Sequence, residues 1–282
     1  MSWGWESAWP APAKLNLFLH VVGRRADGYH LLQTVFRFID LSDELRFSPR
    51  EDGRIVLATP VPGVAEEDNL VVRAARALQQ VGAGPTARGV TIHLEKRIPA
   101  GGGLGGGSSD AATTLIALNH LWGLGLSREA LQRIGLSLGA DVPVFVHGRN
   151  CFAEGVGERF TDLALPEAWY LVTRPLVQVP TAEIFRAPEL KRDTPAMRPQ
   201  DWRPGLGRND LEAVAQARYP EIARHLEALR AVGEARMTGS GACCFVAFAN
   251  EAAARAAAAA LPPELAALVV AGLAAHPLVA LT

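Results

Sequence analysis

The chain has 282 residues, of which 49% are hydrophobic and 20% charged, and its formal net charge is −1. This length leaves room for two domains with a core in each, and the composition is that of an ordinary globular protein. A near-neutral charge gives no reason to expect nucleic acid or an anionic membrane as partner. The N-terminus lacks the pattern of a signal peptide, and prolines divide the alanine-rich C-terminal segment into pieces too short to span a bilayer. The three cysteines lack metal-type spacing and two are adjacent, so we expect a reduced, cytoplasmic protein.

The first predicted element is a strand over residues 11–22, where apolar and polar residues alternate. Lys14 and Asn16 fall on the face opposite the leucines. Polar side chains on a strand face are usually solvated, so the strand alone favours exposure of both. Phe18 on the same face leaves partial enclosure as an alternative.

Three further elements are predicted before the middle of the chain. Residues 23–28 have the composition of a turn, and a second strand follows with Tyr29 and His30 at its start. Acidic residues 66–68 and Asn69 cap a predicted helix over residues 70–81, in which apolar residues recur at helical spacing. Residues 90–95 alternate and predict a half-buried strand.

The most distinctive segment covers residues 99–112 and contains six glycines between a predicted strand and a predicted helix. Glycines let the backbone approach a ligand, and the start of a helix attracts anions. Ser108, Ser109 and Asp110 are expected to cap a helix that begins near residue 111. Both flanks are patterned, which disfavours a flexible linker. The acidic partner of a dinucleotide site and the lysine of a Walker loop are both missing from the sequence. We interpret the segment as a binding loop for nucleotide phosphates.

An isolated carboxylate follows the next predicted helix, which runs from residue 127 to a glycine stop at residue 139. Asp141 stands there among apolar residues. A buried carboxylate is expensive unless a cation or several donors meet it. The chain has only three lysines, at positions 14, 96 and 191, so Lys14 is a natural partner. A purely structural salt bridge is the alternative.

The second half of the chain is expected to begin with a crossing at residues 151–157. Beyond it the sequence predicts a strand at 170–173, a short helix from 181 and an exposed loop over 191–207. A helix that breaks near residue 220 follows, then two strands joined by a Gly-Ser-Gly turn at 239–241, and a helix over 251–261. The turn needs no function as a hairpin, but its bare backbone is also able to approach a ligand.

Three separated motifs together resemble the signatures of the GHMP kinases, the relatives of galactokinase, homoserine kinase and mevalonate kinase. They lie at residues 12–19, 99–112 and 237–243. Further motifs at residues 27–30, 139–143 and 209–212 are similar to the branch whose alcohol substrate carries cytidine diphosphate. The resemblance covers roughly residues 11–250. It implies a two-domain α+β GHMP kinase fold: a ribosomal protein S5 domain 2-like N-terminal domain (residues 1–152) and a ferredoxin-like C-terminal domain (residues 153–282), with the active site between them.

The implied reaction moves the γ-phosphoryl group of ATP, with Mg²⁺, to the 2-hydroxyl of 4-diphosphocytidyl-2-C-methyl-D-erythritol, a step of the non-mevalonate route to isoprenoid precursors. The family's catalytic pair falls on Lys14 and Asp141. Asp141 would accept the hydroxyl proton, while Lys14 would keep that carboxylate ionised and stabilise developing charge. Asp110 is a competing base, disfavoured because a carboxylate repels phosphates. No acidic cage indicates metal ligands, although Ser108 is a candidate metal or phosphate ligand.

The resemblance also implies binding residues. Tyr29 and Phe185 would sandwich the cytosine, and His30 would hydrogen-bond the base edge, which makes selectivity for cytidine physically reasonable. Asn16, Thr181, Gly239 and Ser240 would contact the substrate. The nucleotide residues would be Asn69 and Lys96 near adenine and, along the phosphate loop, Pro99, Ala100, Gly101, Gly102, Gly103, Leu104, Gly105, Gly106, Gly107, Ser108 and Ser109.

Two alternatives stay open. One is a GHMP kinase for mevalonate, homoserine or a sugar, which the pair of predicted stacking rings disfavours because such substrates have no base to stack. The other is a catalytically silent nucleotide-binding protein, which the presence of both Lys14 and Asp141 disfavours. Fold alone does not decide between them.

Overall fold

The computed structural model describes residues 3–81 and 88–281. Within them, strands form two sheets, one in each half of the chain. The first sheet comprises β1 (Trp9–Arg24), β2 (His30–Arg50), β3 (Ile55–Leu57), β4 (Gly89–Glu95), β5 (Cys151–Gly155) and β6 (Arg159–Asp162). The second comprises β7 (Trp169–Thr173), β8 (Arg236–Met237), β9 (Cys244–Phe248) and β10 (Leu268–Ala271).

Eight α-helices are described in these ranges, four with each sheet. The first four are α1 (Leu70–Val81), α2 (Gly106–Leu121), α3 (Arg128–Leu138) and α4 (Val142–His147). The last four are α5 (Thr181–Arg186), α6 (Glu212–Arg218), α7 (Pro220–Arg230) and α8 (Glu251–Ala259). None of the helices in the described ranges has the length and hydrophobicity that crossing a membrane requires.

The long strand β2 organises the first sheet. It pairs with the whole of β1, in a register that runs from Trp9 opposite Leu45 to Arg24 opposite His30. It also pairs with β5 near its beginning and with β4 near its end. Three register shifts interrupt the β1–β2 ladder, and such bulges bend and twist a strand.

The core of the first half lies between this sheet and α1 to α4. Helix α2 is buried on all sides from Ser109 to Asn119, as expected for a helix without a clear polar face. The predicted strand at 90–95 and helix at 70–81 are confirmed: Val90, Ile92 and Leu94 are buried. The free thiols Cys151, Cys243 and Cys244 are also buried.

The start of α2 corrects one prediction. The helix begins at Gly106, five residues before the expected start, and Ser108, Ser109 and Asp110 lie inside its first turns. The N-cap position is Gly105, whose φ of 76° lets the chain turn into the helix without a capping side chain. No side chain at the N-cap therefore accepts a hydrogen bond from the first helical N–H groups.

The passage between the two sheets also differs from expectation. Residues 151–157 do not leave the first sheet: β5 pairs with β2, and β6 pairs with β5. The sheet thus extends past residue 152 to Asp162, because the first part of β2 offers an edge for pairing. The position of the boundary between the two domains stays a prediction, and we propose to place it after Asp162.

The second half follows the predicted order. Strand β7 lies between β10 and β9, and β9 pairs with β8 through the predicted Gly-Ser-Gly turn. The break at residue 220 is confirmed, since Pro220 starts α7 immediately after α6. The 191–207 loop is mostly exposed, but Trp202 is buried in a small cluster with Phe18 of β1. This tryptophan fixes the loop to the first half.

Candidate active site

A cleft of about 630 Å³ lies between the two halves of the chain. Most residues predicted for the site line it: Lys14, Asn16, Asn69, Lys96, residues 99–103 and 105–108, Asp141, Thr181, Phe185, Gly239 and Ser240. Four predicted residues are not part of this lining among the described residues, namely Tyr29, His30, Leu104 and Ser109.

The glycine loop is packed backbone-to-backbone against the turn between β8 and β9. Gly103 has a φ of 74°, and a Cβ atom at this position would lie 2.2 Å from the carbonyl oxygen of Thr238. The N–H group of Cys243 donates to the carbonyl oxygen of Gly102 at 3.1 Å. A side chain at residue 103 would separate the two loops, which explains why glycine is needed there.

The N-terminus of α2 forms the anion-binding part of the cleft. Gly106, Gly107 and Ser108 line the cleft at the start of the helix, where N–H groups lack helical acceptors and the dipole favours negative charge. Ser109 differs, because its hydroxyl donates to the carbonyl oxygen of Pro12 at 2.7 Å. Leu104 is buried, and its carbonyl oxygen accepts the N–H of Lys14 at 3.0 Å. Ser109 and Leu104 thus hold the loop in place.

Lys14 and Asp141 meet at the cleft, as predicted. The Lys14 Nζ atom lies 3.4 Å from Asp141 Oδ2 and donates to Asn16 Oδ1 at 2.6 Å and to the Gly103 carbonyl at 2.9 Å. The lysine side chain is 3% exposed and the aspartate side chain 40%. The expectation of a solvated Lys14 is therefore wrong, and so is that of a buried Asp141. An accessible carboxylate beside a fixed cation is able to receive a proton from a ligand.

Asn16 holds the lysine rather than standing free. Its amide nitrogen donates to Thr34 Oγ1 at 2.9 Å, so the amide oxygen points to Lys14. Its backbone N–H donates to Thr238 Oγ1, also at 2.9 Å. The strand pattern favoured exposure of Asn16. It could not reveal the burial, because the covering residue, Thr238, lies far along the chain. Asn16 is buried with both ends of its amide engaged.

A second charge cluster lies at the base of the glycine loop. Lys96 Nζ donates to Asp110 at 2.7 Å and also to Asp43. Asp43 is fully buried and accepts the N–H groups of Arg97 and Ile98, just before the loop. Burial raises the pKa of Asp110 to about 7, although Lys96 opposes this. By its position Asp110 is a partner of Lys96 and not the predicted helix cap, and sequence reasoning missed Asp43.

Asn69 and the apolar residues near it form another part of the cleft wall. Asn69 Oδ1 accepts the N–H of Val71 at 3.0 Å and so caps α1. Val61, Leu70 and Leu94 line the cleft beside it. An apolar wall with a polar amide at its edge is the kind of surface that takes a planar base.

The loop at residues 238–241 is fixed by the 209–212 motif. Asn209 donates through its amide to the carbonyl oxygens of Met237 and Gly239, at 2.9 and 2.7 Å. Glu212 accepts the N–H of Met237 at 2.8 Å. Ser240 and Thr181 share a hydrogen bond of 2.8 Å at the cleft. The motif thus positions the loop that packs on the glycine loop.

The predicted base-stacking residues are only partly assembled. Phe185 lines the cleft and packs on His30, with ring centroids 5.0 Å apart. Tyr29 is 64% exposed on the turn before β2. His30 Nε2 accepts a hydrogen bond from Arg192 at 3.1 Å. Burial, together with Arg192 and Arg24, lowers the pKa of His30. The sequence analysis did not single out Arg192.

Comparisons with known proteins identify the family. Residues 69–149 match the family model of the GHMP kinases N terminal domain, and residues 191–267 match that of the GHMP kinases C terminal domain. A 4-diphosphocytidyl-2-C-methyl-D-erythritol kinase from Dechloromonas aromatica is 63% identical over 271 residues, which are 96% of this chain and 98% of that protein.

Solved structures give the same result for the fold. A crystal structure of 4-(cytidine 5'-diphospho)-2C-methyl-D-erythritol kinase superimposes with a TM-score of 0.78 and 37% identity, over 94% of this chain and 99% of the other. A crystal structure of mevalonate kinase superimposes with a TM-score of 0.67 over 96% of this chain and 100% of the other. At 14% identity, the latter shows a shared fold alone.

A glycine-rich loop at a helix N-terminus and a lysine–aspartate pair line the same cleft, and the matches to known proteins place the chain in the class of ATP-dependent small-molecule kinases. This chain belongs to the GHMP kinase family. The resemblance inferred from the three motifs is therefore confirmed, together with the two-domain α+β fold and the ATP-dependent phosphotransferase class.

Proposed function

We propose that this protein transfers the γ-phosphoryl group of ATP to the 2-hydroxyl of 4-diphosphocytidyl-2-C-methyl-D-erythritol. The products are the 2-phosphate and ADP, in the non-mevalonate route to isoprenoid precursors. The observation that carries the reaction type is the Lys14–Asp141 pair in the same cleft as the glycine loop. The choice of substrate is supported by the full-length likeness to a kinase of that name.

In the proposed reaction the substrate hydroxyl gives its proton to the accessible carboxylate of Asp141. The hydroxyl oxygen forms a bond to the γ-phosphorus of ATP, and the bond from that phosphorus to the β,γ-bridging oxygen breaks, so that ADP leaves. Lys14 is held by Asn16 and Gly103 before the substrate arrives. A preorganised cation stabilises the charge that develops in the transition state without moving.

The phosphates are proposed to bind where the glycine loop enters α2, with Mg²⁺ arriving as part of the ATP complex. The described residues contain no group of three or more His, Cys, Asp or Glu side chains that would hold a metal. Phosphate and water oxygens would therefore supply most ligands, as is common for Mg²⁺. We propose the hydroxyl of Ser108, which lines the cleft at the helix start, as a further ligand.

The cytosine is proposed to bind against Phe185, with His30 at its edge. Tyr29 would supply the second ring from the exposed turn before β2. Thr181 and Ser240, joined by their own hydrogen bond, would contact the rest of the substrate. Asn69 and Lys96 would stand at the adenine end of the cleft. The near-neutral charge of the chain agrees with small-molecule substrates rather than nucleic acid. The three free cysteines support a cytoplasmic enzyme.

The test is a coupled ADP-release assay with ATP, Mg²⁺ and the cytidyl substrate, run beside mevalonate, homoserine and galactose. We expect turnover with the cytidyl substrate alone. Turnover with another alcohol would keep the catalytic pair but reject the cytosine pocket. ATP binding without turnover on any alcohol would reject the kinase activity.

A further inference from the structure

Arg192 connects the two parts of the proposed base pocket. Its Nε atom donates to His30 Nε2 at 3.1 Å. Its Nη2 atom donates to the carbonyl oxygens of Phe185 at 3.0 Å and Ala187 at 2.7 Å, and its Nη1 atom donates to that of Leu190 at 2.9 Å. One guanidinium group thus fixes an imidazole on β2 and the end of α5. Its position in a loop rich in proline and arginine gave no hint of this role.

The hydrogen bond to His30 determines where the imidazole carries its proton. A guanidinium group donates but cannot accept, and it stays protonated in proteins. Nε2 of His30 must therefore offer its lone pair, which leaves the proton on Nδ1. Within the described part of the chain, Nδ1 has no hydrogen-bond partner, so its N–H is available to a ligand. The lowered pKa of His30 agrees with a neutral ring beside Arg192 and Arg24.

A donor at this position distinguishes the two common pyrimidines. Cytosine has an unprotonated ring nitrogen at position 3 and accepts a hydrogen bond there, whereas uracil carries N–H at the same position. A neutral imidazole that presents an N–H group donates to the ring nitrogen of cytosine. In uracil the same N–H group would face another donor. Mismatched buried polar groups are rejected much more strongly than small differences in shape.

We propose that Arg192 is a positioning residue that fixes His30 as the Nδ1–H tautomer and thereby makes the pocket select cytosine over uracil. This inference rests on the proposed function, because it takes Phe185 and His30 as the base site. Arg192 also sets the position of Phe185, since it binds the carbonyl oxygens at the C-terminal end of α5. Loss of Arg192 would disturb both the ring that stacks and the ring that reads the base edge.

The first test measures the tautomer without substrate or turnover. Imidazole ¹⁵N chemical shifts of His30 are recorded in the free protein and in Arg192→Ala. We expect a protonated Nδ1 and an unprotonated Nε2 in the wild type, and a mixture of tautomers in the variant. A wild-type His30 protonated on Nε2 would overturn the inference.

The second test compares the affinities of CMP and UMP by calorimetry. We expect Arg192→Ala to reduce the preference for CMP by about 10-fold or more, with ATP affinity unchanged. Arg192→Lys keeps one donor for His30 but not the fork that binds the α5 carbonyls. It should weaken CMP binding yet retain most of the preference. Arg198→Ala is the control, because Arg198 lies in the same loop, pairs with Asp201 and has a 72% exposed side chain.

The outcomes separate this inference from the proposed function. An unchanged CMP preference in a folded Arg192→Ala protein overturns the role of Arg192, while turnover of the cytidyl substrate by the wild type would still support the kinase. Conversely, an Nδ1–H tautomer and an Arg192-dependent CMP preference support the inference even if the ADP-release assay fails, in which case only the proposed reaction is rejected.

Discussion

The ammonium group of Lys14 lies 3.4 Å from the carboxylate of Asp141, and the two residues differ sharply in their access to solvent. The lysine is enclosed by Asn16 and the Gly103 carbonyl, whereas two-fifths of the aspartate side chain faces the cleft. Burial of the lysine costs solvation energy, which the half-exposed carboxylate offsets only in part, so the pair is weak evidence for a purely structural role. The accessible carboxylate is open to a proton from a bound alcohol, which is the role proposed for Asp141.

The first prediction concerns that carboxylate. Asp141→Asn keeps the shape but removes the proton acceptor, so we expect kcat to fall by about 10²-fold or more. ATP affinity should change little, because the phosphates are proposed to bind at the glycine loop. Steady-state kinetics and calorimetry with ATP measure both quantities. Asp201→Asn, which alters an exposed ion pair in the 191–207 loop, should change neither. Near-normal turnover by a folded Asp141→Asn protein would remove Asp141 from the mechanism.

The sequence predicted this pair better than it predicted the surroundings. Alternation placed Lys14 on a strand, and its motif resembled a family signature, but the strand pattern favoured a solvated side chain. The lysine is enclosed by the Gly103 carbonyl, which lies 89 residues further along the chain. Local periodicity carries no information on which distant loop covers a strand. The burial of Lys14 could therefore not be predicted from the strand pattern.

The limits of local patterns also explain why the sequence analysis missed Asp43 and misread Asp110, the two partners of Lys96. Asp43 lies within β2 and meets Lys96 53 residues later, so no local spacing connects them. Asp110 looked like a helix cap because serine and aspartate are typical caps. The glycine before the helix starts it earlier and leaves Asp110 inside, facing Lys96. In contrast, most helices and strands have local patterns and were predicted with small errors at their ends.

The second prediction concerns Gly103. Alanine here requires a left-handed backbone and also a Cβ atom 2.2 Å from the Thr238 carbonyl, so the glycine loop must shift. We expect Gly103→Ala to raise KM for ATP by about 10-fold or more, since 1.4 kcal/mol already gives tenfold. Gly123 has a φ of 60° with no atom within 4 Å of the position of a Cβ. Gly123→Ala should therefore cost only about 1–2 kcal/mol of stability without changing KM. Equal KM values in the two variants would contradict the packing argument.

The third prediction concerns Tyr29. Because its side chain is 64% exposed, Tyr29→Ala should leave the free energy of unfolding within about 0.5 kcal/mol of wild type. If the ring stacks on the bound cytosine, the same change should weaken binding of the cytidyl substrate by about 1–3 kcal/mol, a typical effect for base stacking. Tyr29→Phe keeps the ring and should keep the affinity. A loss of ATP affinity equal to the loss of cytidyl affinity would reject the stacking role.

The last prediction concerns His276, which is buried beside Phe38 at a ring-centroid distance of 5.7 Å. Burial lowers the pKa of His276 from its ordinary value of 6.5 to about 3 in the folded protein. Between these values the unfolded chain binds a proton that the folded chain does not, so stability increases with pH in this window and is lost as the pH falls from about 6.5 towards 3. The slope contributed by this one group approaches about 1.4 kcal/mol per pH unit.

His276→Asn should remove that slope while keeping a polar side chain that is able to accept the N–H of Leu278, which His276 Nδ1 accepts at 3.1 Å. At pH 8 the variant should be less stable, because a smaller side chain leaves a cavity. As the pH falls, the wild type loses stability faster, so the difference between the two proteins should narrow. Urea unfolding at pH 8, 6.5 and 5 measures the difference in the free energy of unfolding between the two proteins. Parallel curves for the two proteins would show that His276 is not the group that links protonation to unfolding.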